Sequence, residues 1–169
     1  MLFETDRLYV AKWKEENLAA LFNLFNDTAI KEFIAPKLTL EETEHIFRAQ
    51  LLAYEKPGIF GRYFIIEKSS GNFIGLLLLK DVERDCAVEI GYSLIKEQWR
   101  KGYATEVVNE SVKWLFAEKN FITICAVTEL DNIDSQNVLL KSGFARQKDV
   151  FDEGRWMSYF LLEREQKGR

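Results

Sequence analysis

The chain has 169 residues, 47% of them hydrophobic and 14% aromatic, with two prolines and nine glycines; a single core burying roughly 70% of the unfolded surface suits that size, and no linker, repeat or low-complexity tract divides residues 1–169, so one domain is expected. A net charge of −4 with no basic block gives no support for a nucleic-acid footprint and favours cationic or neutral partners. Cys86 and Cys125 lie apart with no C-x-x-C, no signal peptide precedes Thr5 and no apolar run approaches a membrane span, which argues against a disulfide framework, a zinc site or membrane insertion and for a soluble cytoplasmic protein with both cysteines packed as small apolar residues.

A strand is predicted over residues 7–12, then an amphipathic helix from about Lys14 to Asn26 and a second helix beginning near Leu40. Thr39 with Glu42 three residues on fits a capping box; Phe47, Leu51 and Tyr54 mark one helix face before Pro57 and Gly58 stop it. The lone histidine, His45, falls on this helix and reads as a surface or satisfied residue rather than a catalyst. The middle is an antiparallel meander: Tyr63 to Glu67, a Ser69-Ser70-Gly71-Asn72 turn, Phe73 to Lys80, a turn from Asp81 to Asp85, and Ala87 to Ile95. A helix from Gly102 to about Lys119 turns Val108, Val112, Leu115 and Phe116 inward and Asn109, Glu110 and Lys113 outward, and leads to a strand from Ile122 to Thr128. Strand, helix and strand make a βαβ crossover, which forces the two strands parallel. A short helix from Ile133 to Ser142 ends at Gly143, and strands Phe144 to Val150 and Arg155 to Leu162 close the chain. The sum is α+β, a mixed and mostly antiparallel twisted sheet of about seven strands with helices on both faces.

The most informative stretch is Glu89-Ile90-Gly91-Tyr92-Ser93-Leu94-Ile95 followed by Gln98-Trp99-Arg100-Lys101-Gly102-Tyr103-Ala104-Thr105-Glu106. It reads as strand, cationic turn and helix. The first N–H groups of that helix have no partners inside it, so an anion placed there meets aligned donors and the positive end of the helix dipole. Arg100 and Lys101 add positive charge at the rim, and Gly102 lets the backbone approach a phosphate with no Cβ in the way. Neither G-x-x-x-x-G-K-[ST] nor G-x-G-x-x-G occurs, so Walker and dinucleotide loops are unsupported.

Trp-Arg-Lys-Gly-Tyr-Ala-Thr-Glu after a strand carrying Glu-Ile-Gly-Tyr resembles the acetyl-CoA loop of the GNAT N-acetyltransferase superfamily, in which Gln/Arg-x-x-Gly-x-Gly/Ala wraps the CoA pyrophosphate; Gly102 and Ala104 match its two small positions. Glu4-Thr5-Asp6-Arg7-Leu8 is similar to the Thr-x-Arg-Leu opening of the branch that holds the ribosomal-protein N-terminal acetyltransferases RimJ and RimL. The segment from Asn132 to Phe144 resembles that branch's Asn-x-x-Ser-x-x-(Val/Leu)…Gly-Phe. Three departures stand out: Trp99 where most of the superfamily has Gln or Arg, Arg100 in place of a frequent small residue, and Lys96 where Pro is common.

The resemblance implies a GNAT fold with a βαβ unit that binds acetyl-CoA and needs no metal. Trp99, Arg100 and Lys101 in the turn, Gly102 at its end, and Tyr103, Ala104 and Thr105 in the first helical turn would hold the coenzyme. The backbone near Leu94 and the side chain of Asn132 would follow its pantetheine arm, with Leu94 also a candidate oxyanion donor. The amine attacks the thioester directly in this family, so neither cysteine need act. Ser135 is implied as the acid for the departing thiolate, although Asn132 as N-cap with Ser135 at the third helical position is explained by capping alone. Glu89 shares a strand face with Gly91 and Ser93, which leaves room for a substrate. It is the candidate general base, directly or through a water, should burial raise its pKa; the alternative is an ordinary solvated strand residue.

Trp13, Phe33, Ile34 and the segment from Asp152 to Trp156 fall where the family builds its acceptor groove, with core packing the alternative for the aromatics. Protein N-termini of the RimJ/RimL type are the leading acceptors. Small amines (polyamines, amino acids, aminoglycosides) are the alternative, as is a non-catalytic module that senses CoA or scaffolds a partner. A homodimer is common among similar proteins.

Overall fold

The computed structural model describes residues 1–26, 38–82, 88–152 and 154–164. Its strands are β1 (Phe3–Glu4), β2 (Leu8–Ala11), β3 (Gly61–Glu67), β4 (Phe73–Lys80), β5 (Val88–Leu94), β6 (Thr123–Glu129), β7 (Ala145–Arg146), β8 (Val150–Asp152) and β9 (Arg155–Glu163). The helices are α1 (Leu18–Asn26), α2 (Leu40–Ala53), α3 (Tyr103–Ala117) and α4 (Ile133–Lys141), with single 3-10 turns at Glu15–Asn17 and Lys96–Gln98. Nine strands among the described residues replace the predicted seven. Two-residue β1 is too short to carry a period, and the polar run Gln147-Lys148-Asp149 splits the strand expected from Phe144 to Val150 into β7 and β8.

The chain forms two compact units, one of Met1–Leu78 with Tyr92–Tyr103, the other of Leu79–Gly91 with Ala104–Arg169. In the first, the strands run in the order β1, β2, β3, β4 and then the end of β5. The β1–β2 and β2–β3 pairs are antiparallel, with Leu8 opposite Glu67 and Ala11 opposite Phe64. Trp13, Leu21, Leu24, Phe47, Phe64 and Leu76 make its core, and the Trp13 ring stacks on Phe47 with centroids 5.8 Å apart. The capping box on α2 forms as predicted: Thr39 Oγ1 accepts the Glu42 N–H, and Glu42 Oε2 accepts the Thr39 N–H at 2.7 Å.

In the second unit the start of β5 pairs in parallel with β6, Val88 opposite Ile124 and Glu89 opposite Cys125, as the βαβ reading requires. β6 pairs antiparallel with β9 from Thr123 opposite Glu163 to Glu129 opposite Met157, and β7 and β8 both pair antiparallel with β9. The buried face of α3 carries Val107, Val108, Ser111 and Leu115, whereas Val112 and Phe116 are half-buried. Ser111 can occupy that face because its hydroxyl donates to the Val107 carbonyl at 2.7 Å, leaving no unmet polar group. Cys125 is buried and disulfide-bonded, which overturns the expectation of two separate thiols; Cys86 lies outside the described residues. Among the described residues no helix is long and apolar enough to cross a membrane.

Within the first unit β4 passes so close to β5 that a Cβ on Gly75 would stand 2.1 Å from the Ser93 carbonyl oxygen and 3.1 Å from Leu94 Cα. Backbone atoms cannot yield as a flexible side chain can, so Gly75→Ala is expected to cost about 3 kcal/mol. Thermal denaturation followed by circular dichroism would register that as a fall in Tm of roughly 6–12 °C. A second prediction concerns pH. The Thr39 N–H and hydroxyl hold the Glu42 carboxyl below its ordinary value of 4.5. A lowered folded-state pKa contributes stability that is complete above the unfolded value and vanishes as pH falls through the folded one. The stability deficit of Glu42→Gln, read from urea denaturation, is therefore full at pH 7 and shrinks below pH 4.5.

Candidate functional site

The turn between β5 and α3 is built from ties to the rest of the first unit. After β5 the Ile95 N–H donates to the Ile74 carbonyl at 2.9 Å, and the 3-10 turn Lys96–Gln98 closes through Gln98 N–H to Ile95 O at 3.0 Å and Trp99 N–H to Lys96 O at 3.1 Å. The Trp99 indole N–H then reaches back to the Leu94 carbonyl at 2.7 Å. Arg100 and Gly102 both take left-handed backbone, φ +59° and +82°. Only the glycine does so without strain, and nothing in the sequence marks Arg100 for it.

Gly102 precedes the first residue of α3 and has no side chain with which to cap it, so a ligand acceptor is the natural partner for N–H groups of that first turn. A Cβ at Gly102 would meet only Arg7 Nη2, at 3.5 Å. Lys101 Nζ donates to Gln98 Oε1 at 2.8 Å, and the side chain of Arg100 is exposed. Tyr103 is buried at the helix start; its hydroxyl donates to Glu67 Oε1 at 2.6 Å. That bond, followed by one from Ser70, holds the Glu67 carboxyl below the usual carboxylate range.

Of the predicted coenzyme residues the structure thus brings Leu94 and Trp99 into direct contact and gives Tyr103 a structural anchor. The Leu94 carbonyl is engaged by Trp99, so Trp99 braces the turn through its indole. Arg7 Nη1 donates to the Lys101 carbonyl at 3.0 Å and its guanidinium lies 4.3 Å over the Tyr103 ring. The sequence signal for Arg7 was its place in Thr5-Asp6-Arg7-Leu8, with nothing to say what it touches.

In the second unit Glu89 is 7% exposed, so the solvated-strand alternative does not hold. Asn132 Oδ1 accepts the Ser135 N–H at 3.1 Å, which is the capping geometry that the spacing predicts. Ala104 and Thr105 lie half-buried in the first turn of α3. Arg155 pairs with Glu129, and Trp156 stands 59% exposed with its ring edge-on to Phe151 at 5.7 Å.

Trp13, placed by the resemblance near an acceptor groove, belongs to the core of the first unit, 3% exposed, with an indole N–H that has no hydrogen-bond partner among the described residues. Phe33, Ile34 and Glu153 lie outside the described residues. His45 is exposed on α2. Among the described residues no group of His, Cys, Asp or Glu side chains is placed to hold a metal ion.

A protein-family model described as an acetyltransferase (GNAT) domain matches residues 7–145. The uncharacterized N-acetyltransferase YoaA of Bacillus subtilis is 30% identical over 154 residues, 86% of this chain and 84% of YoaA. Among solved structures, RimL, the ribosomal L7/L12 α-N-protein acetyltransferase in complex with coenzyme A, superposes with a TM-score of 0.79 at 15% identity, covering 96% of this chain and 97% of RimL. AAC(6')-Ib in complex with paromomycin and acetyl-CoA superposes with a TM-score of 0.78 at 22% identity, covering 94% of each chain. The fold, mixed α+β around a mostly antiparallel sheet, is theirs. A family model that spans most of the chain, and a relative that matches nearly as much of it, show that this protein belongs to the GNAT family of N-acetyltransferases.

Proposed function

We propose that this acetyl-CoA-dependent enzyme transfers the acetyl group directly to a primary amine, that residues 1–169 act as one GNAT domain, and that a protein N-terminal α-amine of the RimJ/RimL kind is the acceptor. The observation that carries the reading is the left-handed Gly102 immediately before α3, which brings bare backbone to the helix start with only Arg7 Nη2 in contact distance of where a Cβ would stand. The coenzyme, when bound, supplies an activated thioester. The backbone of Gly102, Tyr103, Ala104 and Thr105 meets its pyrophosphate, with Arg100 and Lys101 adding charge at the rim. Asn132 and the backbone of Leu94 border its pantetheine arm. Glu89 takes the proton of the amine, directly or through a water, and Ser135 gives a proton to the departing thiolate.

An α-amine suits this equipment. Its unperturbed pKa of about 7.7–8.0 leaves far more neutral nucleophile near pH 7 than a lysine amine at about 10.4 does, so a single carboxylate base is sufficient. A small cationic amine is the second reading, favoured by the net charge of −4 and by the fold shared with an aminoglycoside-bound enzyme. A non-catalytic CoA module is disfavoured, because it would have no use for a buried Glu89 or for Ser135.

Calorimetric titration with CoA and acetyl-CoA tests the site. Saturating binding is expected in the wild type and none in Gly102→Val, where a β-branched residue would be forced to φ +82° and the turn before α3 would have to change its backbone. Tight binding retained by that variant would remove the loop from the coenzyme site. Ser135→Ala is expected to lose roughly 100-fold or more in turnover, the contribution of a positioned acid, with CoA affinity unchanged; equal turnover would refute its role. Mass spectrometry of a panel of N-terminal peptides, polyamines and aminoglycosides incubated with acetyl-CoA then identifies the acceptor class.

A further inference from the structure

Thr5-Asp6-Arg7-Leu8 is a motif that the proposed chemistry leaves without a role. Its fold explains the residue types. The Thr5 N–H donates to the Leu8 carbonyl at 2.9 Å and Thr5 Oγ1 accepts the Leu8 N–H at 2.9 Å, which closes a tight turn. Leu8 is fully buried and anchors the turn in the core, while the Lys68 N–H on the Arg7 carbonyl, 2.9 Å, pins the turn to the end of β3. Arg7 therefore projects from a rigid base.

We propose that Arg7 is the positioning residue of the coenzyme loop: its guanidinium fixes the Lys101–Gly102 peptide plane so that the Gly102 N–H faces the phosphate. The inference rests on the reading of that loop as the pyrophosphate site. Arg7 Nη1 holds the Lys101 carbonyl at 3.0 Å. In a trans peptide the following N–H points opposite to the carbonyl, and no peptide in the described chain is cis. Drawing the Lys101 oxygen toward Arg7 therefore turns the Gly102 N–H away from it.

The local ties, the Trp99 indole on the Leu94 carbonyl and Lys101 Nζ on Gln98 Oε1, do not engage the Lys101–Gly102 peptide. Gly102 is as content at negative φ as at its observed +82°, and Arg100 at +59° sits in a region that costs a non-glycine residue roughly 1–2 kcal/mol. The guanidinium completes the clamp by lying 4.3 Å over the ring of Tyr103, which is itself tied to Glu67 through its hydroxyl. A planar, forked cation is needed to stack on the ring and donate in its own plane at once, which a lysine cannot do.

The test compares wild type, Arg7→Ala and Arg7→Lys. Loss of a charge-assisted hydrogen bond that orders the loop predicts a rise of about 10-fold in the KM for acetyl-CoA in Arg7→Ala, with kcat at saturation within about twofold. The Kd values for CoA and for dephospho-CoA should rise by the same factor. Without ligand, hydrogen–deuterium exchange of the segment 98–104 should quicken in Arg7→Ala while the core of the first unit stays protected. Arg7→Lys should recover only a minor part of the affinity.

Unchanged exchange in the loop, or an unchanged KM, would overturn the proposal. Full rescue by Lys would show that charge alone acts, and a penalty confined to CoA and absent for dephospho-CoA would make Arg7 a direct reader of the 3'-phosphate; either result also overturns it. A wild type that binds no CoA would defeat the coenzyme reading instead, while the exchange experiment still decides whether Arg7 sets the loop.

Discussion

Two left-handed residues separated by one position, Arg100 and Gly102, constrain everything the chain can do between β5 and α3. A backbone that alternates in this way turns sharply enough to end a strand and begin a helix within a few residues, and it presents peptide groups rather than side chains to whatever lies in front. The conformation is unfavourable for Arg100 by itself and must be held from outside. The holders are spread along the chain: Arg7 on the Lys101 carbonyl, Trp99 on the Leu94 carbonyl, Tyr103 on Glu67. Each engages a different part of the turn.

The position of the turn is inherited from the packing beneath it. Gly75 lets β4 and β5 approach until an added Cβ would overlap the Ser93 carbonyl, and the Ile95 N–H continues the pairing onto Ile74. The chain therefore leaves the sheet at a defined height and direction. The aromatic core around Trp13, Phe47 and Phe64 supports β3 from the same unit, and β3 carries Glu67, the anchor of Tyr103. Core packing and loop geometry are connected through particular residues rather than through general stability.

Features that depend on near neighbours were legible in the sequence. The capping box at Thr39, the strand Phe73–Lys80 in full, the parallel crossover through α3 and the cap that Asn132 forms for α4 all follow from period or from spacing of three or four residues. Features that depend on distant partners were not. Arg7 and Lys101 are 94 residues apart, and Tyr103 and Glu67 are 36, so no local pattern announces either contact. The left-handed state of Arg100 is equally invisible, because the residue's own preference opposes it. Ser111 in the buried face of α3 and Trp13 in the core show the converse, a polar residue satisfied locally and an aromatic whose destination depends on which elements meet.

The same division accounts for the departures from the family pattern. A turn shaped by its backbone asks for conformation at each position, and side-chain identity matters only where it secures that conformation. Trp99 secures it by carrying an N–H long enough to reach the Leu94 carbonyl, Lys96 opens a 3-10 turn that needs no proline to close, and Arg100 keeps its charged end in solvent while its backbone makes the turn. Gly102 is different. Its φ of +82°, which an L side chain rarely adopts, is a property of the missing side chain itself, so no neighbouring residue can supply it.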